Sequence, residues 1–478
     1  MGNRSEKMGA DGVYCNRLIN DLERAAGALT SAKDVLVVTH IDADGIASGG
    51  IASITLDRLG KGYRILFEKK ISEDTIALIN GSSEDIVWIC DLGSAYLSEF
   101  KRPGIIVTDH HIPDPKWKSR QTTIDGFERM YHLNPHTYGV SGSYEVCGAG
   151  MTYLLSKTAD PRNTDLAYLA VIGAIGDIQD GRESKLIGYN KAILDEAVSA
   201  GDVVVEEDIR YFGRDYRPLV QFLQYSSDPP IPGISENGHG CNAFFSDLNI
   251  PLKRGNVQRT WRDLSPEERR SASDRLLSLA GDDETRKRLF GEIYTLSRYS
   301  NCPGLRDAKE FATVLNSCGR YDDAVTGLRI CRGDLTALED AEKNRSDHRK
   351  HISTAISYIK ENRLLRERRF VQYFDAGSDV RETVVGIVAG MLLNSGEANK
   401  GLPIFAFADA EDGTKVSARA SRILTDRGLD LSFIMKTASE MVGGYGGGHK
   451  VAAGATIPAG KEEEFLDIVE DLVSSQII

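Results

Sequence analysis

Short apolar runs alternate with amphipathic stretches through the first part of the chain. Leu18, Leu22, Ala26 and Leu29 recur at helical spacing. Val35-Leu36-Val37-Val38-Thr39 is an apolar run of strand length, and Gly45 to Leu59 has the composition of a helix. Ile65-Leu66-Phe67, Ile86-Val87-Trp88-Ile89-Cys90 and Ile105-Ile106-Val107-Thr108 are further strand-like runs. Unbroken apolar strands separated by helical patterns predict βαβ units and a parallel sheet buried on both faces. From Thr164 to Ala200 the pattern is helical.

A different texture follows. Residues 203–333 hold a Pro/Gly-rich loop (Asp228 to Gly233) and an arginine-rich helical region from Arg254 to Arg298. They predict a mainly helical insertion packed on the first domain. Residues 334–368 predict a long connector helix with a mainly polar surface, and a smaller α/β pattern then runs to a glycine-rich segment ending near Ile457. The predicted fold class is α/β, divided into a parallel-sheet domain over 1–202, the insertion over 203–333, the connector over 334–368 and a second α/β domain over 369–478.

Composition narrows the class. Over 478 residues, 41% hydrophobic and 27% charged content excludes disorder along the whole length. No apolar run approaches the roughly 20 residues of a membrane span. The first residues, MGNRSEKMGADG, lack an apolar signal core, so the expected location is cytoplasmic, with no membrane partner. Seven cysteines stand singly without a CxxC pair, which predicts reduced thiols instead of a disulfide framework or zinc ribbon. The formal charge of −12 does not exclude nucleic acid, because binding needs only a local basic groove.

Candidate chemistry sits at the ends of the predicted elements. His40-Ile41-Asp42-Ala43-Asp44 follows the strand ending at Thr39, Asp91 follows Cys90, and Asp109-His110-His111 follows Thr108. Asp177 lies in Gly176-Asp177-Ile178-Gln179-Asp180 after an apolar helical run, and position favours it over Asp180. Taken alone, the first cluster also reads as a helix start capped by Asp44. Together, acids and imidazoles at several C-terminal strand ends can converge where open α/β sheets place ligands. Mixed oxygen and nitrogen donors suit Mn²⁺, and also Mg²⁺, Zn²⁺ or Fe²⁺.

The run Gly443-Gly444-Tyr445-Gly446-Gly447-Gly448-His449 lets backbone N–H groups approach phosphate oxygens, with a plain flexible loop as the alternative. No Gly-Lys-Ser/Thr follows, so it is not a nucleoside-triphosphate loop. Asn134 and His136 read equally as substrate contacts or a turn. Arg320 reads as a cleft residue or a helix C-terminal arginine. Arg363, Arg366, Arg368 and Arg369 read as a strand-binding groove or a solvated helix face.

These motifs, in order VVTHIDADG, ICDLG, VTDHH and AIGDIQD, resemble the DHH phosphoesterase family, and Gly446 to His449 followed by Ala452-Ala453-Gly454 resembles its DHHA1 companion domain. The VTHIDADG form, HLNPH (His132 to His136) and FATVLNSCGR (Phe311 to Arg320) resemble the archaeal RecJ-like single-strand exonucleases. The resemblance implies two metal ions, Mn²⁺ or Mg²⁺. His40 and Asp42 would hold one and Asp44, His110 and Asp177 the other, with Asp91 bridging. His111 would lie beside the scissile phosphate and Asp109 would orient a histidine ring. Asn134, His136, Arg320, Ser417, Arg419, Gly446, Gly447, Gly448 and His449 would contact substrate. The implied activity is exonucleolytic hydrolysis of single-stranded DNA, or RNA, 5′→3′, in replication or repair, with GINS or another replicative-helicase component as partner. Alternatives within the family are a phosphodiesterase for short oligoribonucleotides or cyclic dinucleotides, and a helicase scaffold with little catalysis.

Overall fold

The computed structural model describes residues 14–116, 130–226 and 228–477, so the N-terminal stretch read above lies outside the described residues. Two compact units divide between Arg345 and Ser346. The first opens on α1 (Asn16–Ser31) and alternates through β1 (Asp34–His40), α2 (Ala43–Arg58), β2 (Gly62–Glu68), α3 (Glu73–Gly81), β3 (Ile86–Cys90), β4 (Ile105–Thr108) and β5 (Met130–Leu133). The sheet order is β2-β1-β3-β4-β5, with every pair parallel.

Alternate strand residues enter two cores. Val35, Val37, Trp88 and Ile106 pack with α1, α2 and two later helices, α4 (Gly148–Ala159) and α5 (Ala167–Gly176). Leu36, Val38, Val87, Ile89 and Val107 pack on the opposite face with Ile79 of α3, Leu97 and Phe100. Burial on both faces is the reason these strands read as continuous apolar runs. The chain moves from β1 outward to β2, then back to β3 on the other side. This topological switch point, between the C-terminal ends of β1 and β3, is where such sheets form a crevice. β5 was not predicted, because its four residues include the buried polar His132 and do not make an apolar run.

After α6 (Gly188–Ser199) the chain is not helical throughout. β6 (Val203–Ile209) pairs antiparallel with β7 (Phe290–Leu296), a ladder that the helical reading of the insertion missed. Between them, helices at Leu219–Gln224, Gly238–Asp247, Pro266–Leu279 and Asp283–Leu289 enclose a separate core around Phe222, Phe245 and Trp261. Then α7 (Ala308–Arg320) returns to the first core through Phe311, Val314 and Leu315.

The helix α8 (Leu338–Glu361) crosses the division between units and stops at Glu361. The arginines beyond it therefore do not line a helix face. Arg363 adopts a left-handed backbone (φ +52) and Arg366 lies in the two-residue strand β8 (Arg366–Glu367). Arg368 is held by Asp467 (2.6 Å) and Glu463 (2.5 Å), an intramolecular role. The second unit continues with β9 (Gln372–Asp375), α9 (Glu382–Ser395), β10 (Ile404–Ala410), β11 (Gly413–Arg419), α10 (Leu431–Met441), β12 (Tyr445–Gly448), β13 (Ala452–Ile457) and α11 (Glu462–Ile477). Its sheet runs β8-β9-β10-β11-β13-β12, with only the β9–β10 pair parallel. Ile404, Ala406 and Ala408 pack on α9, while Phe405 and Phe407 face α10 and α11. Among the described residues no helix is long and apolar enough to cross a membrane, and all seven cysteines are free thiols.

Candidate metal centre

The C-terminal edge of the parallel sheet gathers the candidate ligands. His40 is the last residue of β1, and Asp42 caps α2, its side chain accepting from Gly45 N–H at 2.9 Å. The cap of this helix is thus Asp42, which leaves the Asp44 carboxylate free for another use. Asp91 follows β3 in a left-handed conformation (φ +58), and Asp109 and His110 follow β4. Asp177 arrives differently, from the C-terminal end of α5.

Their side chains meet. His40 Nδ1 lies 3.0 Å from Asp42 Oδ2 and 3.3 Å from Asp91 Oδ2. His110 Nε2 lies 3.2 Å from Asp91 Oδ1, 3.1 Å from Asp177 Oδ2 and 3.7 Å from Asp44 Oδ2. Three overlapping groups of metal-ligating type result among the described residues, His40/Asp42/Asp91, Asp44/His110/Asp177 and Asp91/Asp109/His110/His111, each with donor atoms within 4.8 Å of one another. Asp91 turns one oxygen toward His40 and the other toward His110.

Supporting contacts hold this geometry. Both oxygens of Asp44 accept backbone N–H groups at the start of α4, Gly148 at 2.7 Å and Ala149 at 2.9 Å, where the helix dipole favours an anion. His110 Nδ1 lies 2.5 Å from the Gly142 carbonyl, and by donating there it directs Nε2 toward the acids. Gln179 Nε2 donates to the same carbonyl at 2.9 Å. Asp109 is fully buried and accepts from Ser94 N–H (2.9 Å), His110 N–H (2.7 Å) and His111 Nδ1 (2.8 Å). Asn134 braces the same loop, donating to Ser94 Oγ and the His111 carbonyl, each at 2.9 Å, and accepting from His136 N–H at 3.0 Å. His111 and His136 are exposed.

Several of these supports escape a reading of the sequence. A Cβ on Gly148 would stand 2.6 Å from Asp91 Oδ1, and one on Gly173 2.3 Å from Asp44 Oδ1. Only glycine admits the acids there. Asn316 of α7 accepts Ala43 N–H at 3.0 Å, which ties α7 to the Asp42–Asp44 turn. Small residues at the head of a predicted helix, Gly148-Ala149-Gly150, were the one available signal. Arg320, at the end of α7, faces Asp42, whose charge partly offsets the burial that lowers its pKa. Asp180 turns away to pair with Arg210.

The electrostatics are those of crowded charge. Burial, together with Asp91 and Asp177, raises Asp44. Burial, reinforced by Asp42 and Asp91 and opposed by His110, pushes Asp177 up to about 7. Burial works against the His40 and His110 cations, but the surrounding carboxylates win and both are raised. Burial also opposes ionisation of Asp42, yet His40 holds it low. Both oxygens of Asp91 are buried without a hydrogen-bond partner. Such atoms are costly unless a cation satisfies them. Four carboxylates, one of them without a hydrogen-bond partner, and two imidazoles fit divalent cations of the Mn²⁺ or Mg²⁺ type. Burial pushes the neighbouring Cys90 thiol up to about 12, so no thiolate joins the set.

In the second unit, Ser417 and Arg419 lie on β11 and Gly446, Gly447 and Gly448 on β12, with β13 between them. Arg419 is opposite Ala452, whose carbonyl accepts His449 N–H at 2.8 Å, so His449 and Arg419 share one end of this sheet. Gly386 of α9 approaches both Ser417 and Arg419, where an added Cβ would stand 2.9 Å from Ser417 Oγ and from Arg419 Nη2. These residues form a group of their own within that unit.

The fold and the clustered acids agree with two domain matches along the chain. Residues 368–475 match the DHHA1 domain and residues 211–287 the DHH-CID domain. It is 28% identical over 459 residues to an uncharacterized protein of Methanocaldococcus jannaschii, covering 93% of this chain and 94% of that one. A crystal structure of exonuclease RecJ bound to manganese superposes with a TM-score of 0.55 at 16% identity, covering 95% of this chain and 94% of that one. CDC45 from Entamoeba histolytica superposes with a TM-score of 0.64 at 11% identity, covering 96% and 98%. These structures share the fold.

Proposed function

We propose that the chain is a divalent-cation-dependent phosphodiesterase that removes nucleotides from an end of single-stranded DNA or RNA. The observation that carries this reading is Asp91, buried without a hydrogen-bond partner and facing both His40 and His110 at the switch point of the sheet. His40 and Asp42 would hold one ion, Asp44, His110 and Asp177 the other, and Asp91 both. Bound there, Mn²⁺ or Mg²⁺ would supply Lewis-acid charge to water and to the phosphodiester.

The chain's own residues supply the rest. His111 donates Nδ1–H to Asp109, which leaves Nε2 exposed beside the centre. Burial lowers the pKa of His111, but Asp109 raises it further, so Nε2 is readily protonated and suited to a phosphate oxygen or the leaving oxygen. Arg320, facing Asp42, adds a fixed positive charge. In the second unit, Arg419 offers a guanidinium and the β12 glycines offer bare backbone, groups suited to phosphate.

End-labelled DNA and RNA strands test the proposal. With Mn²⁺ the protein should release nucleotides from single strands, from the 5′ end on the resemblance, and Asp91→Asn should lower the rate about 10³-fold, a loss of about 4 kcal/mol in transition-state stabilisation. A folded Asp91→Asn or Asp177→Asn protein with full activity would overturn it. A dinucleotide turned over faster than a long strand would favour the short-substrate alternative. Co-purification with a GINS-type replication component, with no cleavage, would favour a scaffold.

A further inference from the structure

The turn that delivers Asp177 carries more than a ligand. α5 ends in a Schellman motif, in which Gln179 N–H reaches the Ala174 carbonyl at 3.0 Å and Ile178 N–H reaches the Ile175 carbonyl at 3.1 Å. This motif demands a left-handed residue after the cap, usually glycine, because a β-branched side chain is strained there. Here the position holds Ile178 at φ +58. Its side chain gains no burial in return, being 73% exposed. Folding alone does not reward an isoleucine in this place.

Next to it lies a ready-made platform. Arg182, in the same turn region, places its guanidinium 5.1 Å from the ring centroid of Tyr144. Both side chains are exposed, and the only ion pair of Arg182 among the described residues is a loose one with its neighbour Glu183 at 3.8 Å. The two segments are locked together beneath them. Gln179 Nε2 donates to the Gly142 carbonyl, the same one that engages His110 Nδ1, and Asn190 Nδ2 donates to Gln179 Oε1 at 2.6 Å. An aromatic face, a cation and an exposed apolar branch therefore stand on a rigid support shared with two candidate metal ligands, His110 and Asp177.

We propose that Tyr144, Arg182 and Ile178 form a nucleotide subsite for single-stranded nucleic acid. Tyr144 stacks one base, Arg182 pairs with the adjoining phosphate, and Ile178 separates that base from the next. Stacking on a tyrosine tolerates any base, since each has a π face, and the guanidinium is already oriented over the ring. A base inside a duplex is paired and has both faces covered by its neighbours, so the subsite favours single strands. The inference rests on the phosphodiesterase reading and names how that site holds its substrate.

The test uses the full chain without divalent cation, so that binding is read apart from cleavage. Short oligonucleotides with 2-aminopurine at the 5′ or the 3′ end report stacking by fluorescence quenching. Tyr144→Ala should weaken binding about tenfold and abolish the quenching at one end, while Tyr144→Phe keeps both. A strand abasic at that end should bind Tyr144→Ala and the unaltered protein equally. Ile178→Gly should weaken quenching while raising the melting temperature, a split that a purely structural role would not produce. Quenching that survives Tyr144→Ala, or equal losses on base-bearing and abasic strands, would overturn the subsite. Failure of the phosphodiesterase reading would appear separately, as no Mn²⁺-dependent cleavage by the unaltered protein.

Discussion

Asp91 holds its carboxylate on a left-handed backbone directly after β3, with both oxygens buried and without a hydrogen-bond partner. Left-handed backbone costs a residue with a side chain roughly 1–2 kcal/mol, and an unsatisfied buried acceptor about 1–3 kcal/mol more. A bound cation offsets such costs, and it stabilises only the folded state. In differential scanning calorimetry Mn²⁺ should therefore raise the melting temperature of the unaltered protein, by about 2.7 kcal/mol of stability at one hundred times the dissociation constant. Asp91→Asn should be at least as stable without metal and should lose most of that shift. An unchanged shift would show that the cation binds elsewhere. At this scale the sequence was informative about the ligand types and silent about their satisfaction, since orphaned oxygens are a property of surroundings.

The N-terminus of α4 shows how an element serves the site. Its first N–H groups bind both oxygens of Asp44, and Gly148 lets the helix come within contact of Asp91. Gly148→Ala would put a methyl group 2.6 Å from Asp91 Oδ1, against a buried, well-supported side chain. Overpacking of this kind costs about 1–3 kcal/mol, and the displaced carboxylate should also abolish metal-dependent activity. Urea denaturation and a Mn²⁺ titration check the two effects, and a variant with unaltered stability would contradict the packing described. The strands β1, β3 and β4 were legible because burial on both faces makes them apolar throughout. β5 and the β6–β7 ladder were not, because His132 interrupts one and Glu206, Glu207 and Asp208 interrupt the other.

At the scale of the whole molecule, buried histidines couple the fold to pH. His132 Nε2 lies 3.0 Å from Ser94 Oγ, which itself accepts from Asn134, so the serine hydroxyl donates to a neutral ring. Burial lowers His132 from 6.5 to about 4. Between those values the unfolded chain binds a proton that the fold refuses. The contribution of this group is thus constant above pH 6.5 and falls as pH drops toward 4, by about 3 kcal/mol in all. His132→Gln keeps an acceptor and removes the titration. The difference in unfolding free energy between the two proteins should change across pH 6.5 to 4 and stay level above it, and a difference independent of pH would refute the assignment.

By itself the sequence determined the alternation of strands and helices and the kinds of donor at their ends, because burial and metal chemistry each leave a local mark in residue type. Tertiary structure alone decided that Asp42 caps α2 while Asp44 meets α4, that Asp177 comes from a helix end while Asp180 goes to Arg210, and that Arg368 is held by acids of α11. Each of those choices depends on segments far apart along the chain. Spacing within one segment carries no information about which distant N–H group, glycine or guanidinium will stand opposite it.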